Sequence, residues 1–421
     1  MICIYGKWKV WNALKAFCDA QKMESEIVDD ADNIEDFSCY SAIIPSPGIA
    51  PSHRIYATGK IVGELDFVYP FLPKGFKILA VTGTDGKSTT AWILYELLRQ
   101  EYGDDQVFLS GNFDVPFSET VKLIGERGLQ KGYIVIEVSS FMAYNIKKFQ
   151  ATHSIFTNFE TDHLNWHPDL QDYFDAKMRL FQHTTGTSVI NAQVLTKAKE
   201  WGLTIPSDIP NVRIFGQDDV FSDRTDGENI IISGRRKYHL SETQFAGIHN
   251  AMNILSSTIV TNALKICSKR TREYLGHISG LSHRLEFVTE KNGVRFVDDS
   301  KSTSAQSLIA ALGSFPTGKV ILIAGGSYKG DTFEWVAEAM RGVVKYAELI
   351  GATREKLGEV CKKAGVDFHY AESMDEAVRD ASIKASPGDT ILLSPGCASF
   401  GMFRDYLDRA EKFREAVDGL V

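Results

Sequence analysis

The chain has 421 residues, 44% hydrophobic and 24% charged, a balance that supports packed cores of about three ordinary domains and excludes intrinsic disorder. A net charge of −8 argues against a nucleic-acid partner, because phosphate-backbone binding needs a basic excess, but it leaves room for a local nucleotide site. Six cysteines without a C-x-x-C pair give no zinc or disulfide framework and fit a reduced, cytoplasmic setting; no apolar run makes a signal peptide or approaches the roughly 18 residues of a membrane span.

Residues 2–5 read as a strand, 8–20 as a helix, and 26–28 and 41–44 as two further strands, the last ending at Pro45-Ser46-Pro47-Gly48. This is a small α/β unit over residues 1–75, closed by the breaker-rich Tyr69–Gly75.

The most informative stretch follows. Lys77–Thr82 is a short apolar run, Gly83-Thr84-Asp85-Gly86-Lys87-Ser88-Thr89 is glycine-punctuated, and residues 91–98 have helical apolar spacing. Strand, glycine loop, Lys-Ser and helix together describe a phosphate cradle: glycines let backbone N–H groups approach oxyanions, and the helix N-terminus adds partial positive charge. Lys87 suits the β/γ-phosphates and Ser88 a Mg²⁺ ion. The common spacing would place glycine at 81, where this chain has Val81. The bland alternative is an ordinary βα turn.

Three further residues sit where open α/β sheets bind ligands, past strand ends. Strands are expected at 133–138 and 153–158. Glu137 interrupts a buried apolar strand, which is costly unless the carboxylate is paired or holds a metal. Asp162-His163 follows the second strand, with His167 as a rival. Leu170, Tyr173, Phe174, Lys177 and Phe181 share one helical face, so Lys177 breaks an apolar stripe; desolvation there would favour its neutral amine, whereas a stripe-edge lysine would simply snorkel.

Residues 205–245 read as a polar, less regular insertion with hairpins at Asp226-Gly227 and Ser233-Gly234, and helical spacing resumes at 249–266. A boundary is expected near Ser279-Gly280. Beyond it, strands at 294–298, 319–324, 346–350 and 390–394 alternate with helices at 303–313, 332–343, 354–364 and 374–385, the pattern of a parallel sheet covered on both faces. The fold class is therefore α/β in three domains, 1–75, 76–280 and 281–421: Rossmann-like, P-loop ATPase-like and Rossmann-like.

Taken in order, Thr82–Thr89, Gly111-Asn112, Glu137–Phe141, Thr161–Leu164, Ala176-Lys177, Gly247-Ile248-His249-Asn250 with Asn253, and His283-Arg284 resemble the muramoyl-peptide ligase family, the ATP-dependent amide-forming enzymes of bacterial cell-wall synthesis. Asp299-Ser300-Lys301-Ser302-Thr303 and Leu393–Phe400 are similar to its D-glutamate-adding branch, and Val81 becomes a family feature. The resemblance implies ATP, Mg²⁺, UDP-N-acetylmuramoyl-L-alanine and D-glutamate as partners of a monomeric enzyme, the substrate carboxylate being phosphorylated and then attacked by the amine. It implies Lys87 on the transferring phosphoryl group, and Gly83, Thr84, Asp85, Gly86, Ser88 and Thr89 around the nucleotide. Asn250 and Asn253 would meet adenine or ribose, with Arg284 and Asp299 closing over the nucleotide. Ser88, Glu137, His163 and a carbamylated Lys177 would surround the metal. Ser46, Pro47 and Gly48 would line the UDP-sugar site, Asn112 and Ser139 the reacting substrate, and Lys301, Thr303, Lys329, Ser399 and Phe400 D-glutamate. The opening Gly6-Lys7-Trp8-Lys9-Val10 departs from the family in lacking a second glycine, and Trp8 and Trp11 are bulky for a diphosphate loop. A folate-glutamylating relative, disfavoured by Asp299–Ser302 and Ser394-Pro395-Gly396, and a non-catalytic nucleotide-binding protein are the alternatives.

Overall fold

The computed structural model describes all residues except 7–8, 113–114, 165, 246, 328–332, 334 and 421. The chain forms two compact units, Met1–Ile278 and Ser279–Val421.

The first unit opens with β1 (Ile2–Tyr5), β2 (Ser25–Val28) and β3 (Ala42–Pro45), a parallel sheet ordered β2-β1-β3. Cys3, Ile4, Ile43 and Ile44 are fully buried, as strands covered on both faces require. Tyr5 pairs with Pro45, so the chain leaves β1 at Gly6 and β3 at Ser46 side by side.

Next come β4 (Gly75–Thr82), β5 (Val107–Gly111), β6 (Lys131–Glu137), β7 (His153–Phe156), β8 (Ser188–Asn191), β9 (Val212–Gly216), β10 (Asp223–Thr225), β11 (Asn229–Ile232) and β12 (Arg235–His239). They form one nine-stranded sheet, β12-β11-β10-β9-β8-β7-β4-β6-β5. The hairpins at Asp226-Gly227 and Ser233-Gly234 are present, but 205–245 is no excursion: β9 to β12 extend the central sheet. Their apolar runs are only a few residues long, and tertiary burial of Phe215, Ile230 and Ile232 rather than local pattern fixes them. One sheet face is covered by the helices Lys87–Tyr102 and Ile248–Ala263 through Ala91, Leu94, Leu98, Ile254 and Val260. The other carries an aromatic layer, with Phe156 and Phe181 stacked at 5.4 Å.

The second unit is a six-stranded sheet of β13 (Glu286–Lys291), β14 (Val294–Asp298), β15 (Val320–Gly325), β16 (Val344–Ile350), β17 (Asp367–Tyr370) and β18 (Thr390–Leu393), ordered β13-β14-β18-β15-β16-β17. Only β13 runs antiparallel. Of this unit's strands the sequence reading lacks β13 and β17, the edges, where half-exposed polar composition blurs the apolar signal; in the first unit it also lacks β5 and β8. The helix Tyr406–Asp418, also unanticipated, packs Phe413 and Val417 under the sheet. Among the described residues no helix is long and apolar enough to cross a membrane.

Candidate active site

The strands β7-β4-β6-β5 are adjacent and parallel, and register decides what meets at their C-terminal ends. Val81 pairs with Glu137, Thr82 with Phe156, and Gly111 with Glu137. The glycine loop, Glu137, Asn112 and the segment from Thr157 therefore emerge along one sheet edge, the place where open α/β sheets bind ligands.

The loop is tightly specified. Gly83 has φ +153°, and a β-carbon there would lie 1.9 Å from Thr157 Oγ1. Gly86, at φ +75°, caps the helix Lys87–Tyr102, and its added β-carbon would fall 2.7 Å from Asn253 Oδ1. Both positions need glycine for conformation and for room. Asn158 Oδ1 accepts from the amides of Thr84 (3.2 Å) and Asp85 (2.7 Å), fixing the loop to β7; sequence reasoning missed this residue, although it too follows a strand end. Lys87 Nζ donates to Thr84 O at 2.6 Å, Ser88 is buried, and Thr89 is half-buried on the same first turn. Asn253 Oδ1 accepts from Thr90 Oγ1 (3.1 Å), while its amide donates to Asn250 Oδ1 (3.5 Å), so both asparagines lie beside the helix start.

Glu137 is 2% exposed. Its Oε1 accepts from Asn112 Nδ2 at 2.8 Å, so Asn112 orients the carboxylate; Oε2 is buried with no hydrogen-bond partner among the described residues. An unmatched buried carboxylate oxygen is expensive unless a cation completes it. His163 adopts φ +55°, in the left-handed region that costs a non-glycine residue energy. Its amide donates to Asp162 Oδ1 (2.7 Å) and its ring lies 4.6 Å from that of Phe141. Burial lowers the His163 pKa, with Asp162 opposing and the Lys177 and Lys87 charges assisting. A neutral imidazole is the ligating form. The rival His167 is fully committed, Nδ1 to Asp172 (2.6 Å) and Nε2 to Ser140 (3.0 Å). Ser139 caps the short helix Ser140–Tyr144 by accepting from Met142 N at 3.2 Å.

Lys177 lies on the helix Leu170–Gln182, among Tyr173, Phe174, Met178 and Phe181, and is 2% exposed. It does not snorkel: its Nζ donates to Gly83 O at 2.7 Å and lies 4.7 Å from the Tyr173 ring centroid. Burial drives its pKa well below the usual lysine value, and Lys87 pushes the same way against Asp162, Asp85 and Glu137. Two lysines thus converge on one loop, from its helix and from across the fold.

Ser46 and Pro47, at the end of β3, line a cavity with Trp11, Glu64, Phe141 and Asn145; Gly48 follows them. Phe141 belongs both to this cavity and to the His163 contact, which joins the two places. Trp11 is a core residue, 3.3 Å from a β-carbon built on Gly6. Lys7 and Trp8 lie outside the described residues.

The second unit has its own cluster where β14 and β18 end. Asp299 Oδ2 accepts from Ser394 Oγ (2.7 Å) and Oδ1 from Leu285 N (3.3 Å). Lys301 N donates to His283 O (3.1 Å), and its Nζ lies 5.3 Å over the Tyr406 ring, an aromatic partner that sequence reasoning missed. Thr303 is half-buried, Ser399 buried and Phe400 exposed; Lys329 lies outside the described residues. His283, Glu286 and Asp298 cluster like metal ligands, but Arg414 already lies at 2.7 Å from Glu286 and 3.3 Å from Asp298.

Burial raises Asp299 to about 7, against the pull of Ser394, Arg284 and the Leu285 amide. The unfolded chain ionises near 3.8, so between about 4 and 7 the unfolded state binds fewer protons and native stability falls as pH rises. Asp299→Asn removes this slope, so its melting temperature relative to the parent should improve from pH 5 to pH 8; a pH-independent difference would contradict the assignment.

Residues 81–261 match the Mur ligase middle domain, and residues 283–397 the Mur ligase, glutamate ligase domain. The UDP-N-acetylmuramoylalanine–D-glutamate ligase of Aquifex aeolicus is 36% identical over 383 residues, covering 89% of this chain and 87% of that protein. Its counterpart from Caldicellulosiruptor bescii is 33% identical, covering 96% and 89%. Among solved structures, the UDP-N-acetylmuramate–alanine ligase of Thermotoga maritima aligns with TM-score 0.63 at 15% identity over 99% of each chain. MurF ligase from the same organism, in complex with ADP, aligns with TM-score 0.59 at 18% identity, covering 90% and 89%.

Proposed function

The chain belongs to the Mur ligase family, and we propose on that premise that it is the ATP-dependent ligase joining D-glutamate to UDP-N-acetylmuramoyl-L-alanine in peptidoglycan precursor synthesis. The observation that carries the chemistry is the meeting of a phosphate loop, a buried carboxylate with an unmatched oxygen and a buried lysine at adjoining strand ends. The relatives' names supply the substrates.

A carboxylate is a poor electrophile, and phosphoryl transfer gives it a leaving group. The γ-phosphoryl of ATP passes to the L-alanine carboxylate oxygen, releasing ADP. The D-glutamate amine then attacks the acyl carbon, a proton leaves the nitrogen, and the C–O bond to phosphate breaks. The protein supplies positioning and charge neutralisation. In this reading the loop amides from Gly83 to Thr89 hold the phosphates, and Lys87 swings from Thr84 O to the γ-phosphoryl group. Asn250 and Asn253 face the nucleoside. Ser88, Glu137 and His163 fit a Mg²⁺ site, since they offer a hydroxyl, a buried carboxylate oxygen in need of a cation, and an imidazole with lowered basicity. The metal would supply charge neutralisation between phosphate and carboxylate. Lys177 adds to CO₂ through its neutral amine, forming an N–C bond and losing a proton, and the resulting carbamate is an anion beside that site. Residues 1–75 hold the UDP-sugar, with Ser46, Pro47 and Gly48 at its cavity, and Asn112 and Ser139 lie near the reacting group. Within 281–421, Arg284 and Asp299 serve the nucleotide, and Lys301, Thr303, Lys329, Ser399 and Phe400 serve D-glutamate.

The acyl phosphate has an isotopic signature. Substrate carrying ¹⁸O in its alanine carboxylate should deliver one labelled oxygen into each released phosphate, read by mass spectrometry. Unlabelled phosphate would overturn this chemistry.

A further inference from the structure

The helix Tyr406–Asp418 carries an arginine with no solvent exposure. Arg409 donates through one terminal nitrogen to Cys397 O (3.0 Å) and through the other to Ser300 O (2.7 Å). Among the described residues it makes no ion pair with a carboxylate. A buried guanidinium is costly, and here its two terminal nitrogens are spent on main-chain carbonyls while Nε is buried with no hydrogen-bond partner among the described residues. Those carbonyls belong to two different loops, one leaving β14 and the other leaving β18, strands that lie side by side with Asp298 opposite Leu393. Ser300 sits between Asp299 and Lys301, and Cys397 two residues before Ser399.

We propose that Arg409 is a positioning residue for the amino-acid site: its fork sets the spacing of the Asp299–Lys301 and Cys397–Ser399 loops, and hence the register of Lys301 against Ser399. This rests on the reading above, in which these two loops surround D-glutamate. The same helix supports the arrangement at its first residue, where Tyr406 lies beneath the Lys301 ammonium. Asp405 caps that helix by accepting from Leu407 N and Asp408 N (both 2.9 Å), which fixes where Tyr406 and Arg409 stand. Burial lowers the Arg409 pKa to about 10, with Cys397, Asp298 and Asp299 pulling the other way, so the fork stays charged at neutral pH. A lysine keeps the charge but offers a point donor on a flexible stem in place of two nitrogens in fixed geometry.

The test uses Arg409→Lys and Arg409→Gln in the full-length chain, beginning with the amino acid that the parent enzyme accepts from a panel. Both variants should raise KM for that amino acid at least tenfold. KM for ATP and for the UDP-sugar substrate should stay within twofold, kcat should fall less than KM rises, and cooperative melting should be retained. An unchanged amino-acid KM in folded variants would overturn the proposal. So would equal rises in all three KM values, or loss of cooperative melting in both variants, which would make Arg409 a general core residue. If the parent accepts an amino acid other than D-glutamate, the substrate assignment fails while the role of Arg409 is still decided by the KM of the one accepted.

Discussion

Lys177→Ala should lower kcat by roughly 10²–10³, the scale seen when one preorganised charge-stabilising group leaves an active site, and short carboxylic acids should restore part of the loss. The lysine is unusual in two ways. It is buried on the Gly83 side of the phosphate loop, and its nearest charges include another lysine, so the neutral amine is favoured. Only a neutral amine adds to CO₂. The adduct is an anion, and an anion suits a metal-phosphate environment better than the ammonium it replaces. Alanine opens space beside Gly83 O, and a small acid can place its carboxylate there. Lys177→Arg keeps a cation that cannot be carbamylated, so it should be as inactive as alanine and should not respond to added acid. Full activity in Lys177→Ala would remove the carbamate from the mechanism. Activity lost without rescue, together with an unmodified Lys177 by intact-mass and ¹³C-bicarbonate measurements, would leave the lysine a packing role.

Glu137→Gln should raise the Mg²⁺ concentration for half-maximal activity at least tenfold and lower kcat by a further 10²–10³. The substitution is conservative in shape, and its amide oxygen still accepts from Asn112 Nδ2 as Glu137 Oε1 does at 2.8 Å. What disappears is the charge on Oε2, the buried oxygen with no hydrogen-bond partner among the described residues. If that oxygen waits for a cation, the variant binds metal poorly yet melts no lower than the parent in metal-free buffer, because a buried amide costs less than a buried unpaired carboxylate. Unaltered Mg²⁺ dependence with a lowered melting temperature would make Glu137 a structural hydrogen-bonding residue.

The parts of this site that sequence disclosed are those whose chemistry is local. A phosphate loop is one contiguous run between a strand and a helix. Glu137 announces itself as a carboxylate ending a continuous apolar strand, and Lys177 as a charge in an apolar stripe of period 3.6. The parts it hid are made by long-range contacts. Asn112 reaches Glu137 across 25 residues, Asn158 holds the Thr84 amide across 74, and Arg409 bridges to Ser300 across 109. None of these has a spacing that pattern can detect. The same reason explains the strand errors: β9 to β12 join the sheet through burial of a few scattered apolar side chains, and β13 and β17 are polar-faced edges. Tyr406, over whose ring the Lys301 ammonium lies, is another long-range neighbour that no local spacing marks. Local pattern pointed to the candidate residues, and tertiary contacts decide how each is held.

The most direct test of the central claim is phosphate release from ATP and UDP-N-acetylmuramoyl-L-alanine across a panel of amino acids. D-glutamate should give sustained turnover that requires all three substrates, with L-glutamate and L-lysine near the background rate. Equal turnover with L-glutamate or L-lysine, or release that does not depend on the UDP-sugar, would contradict the account.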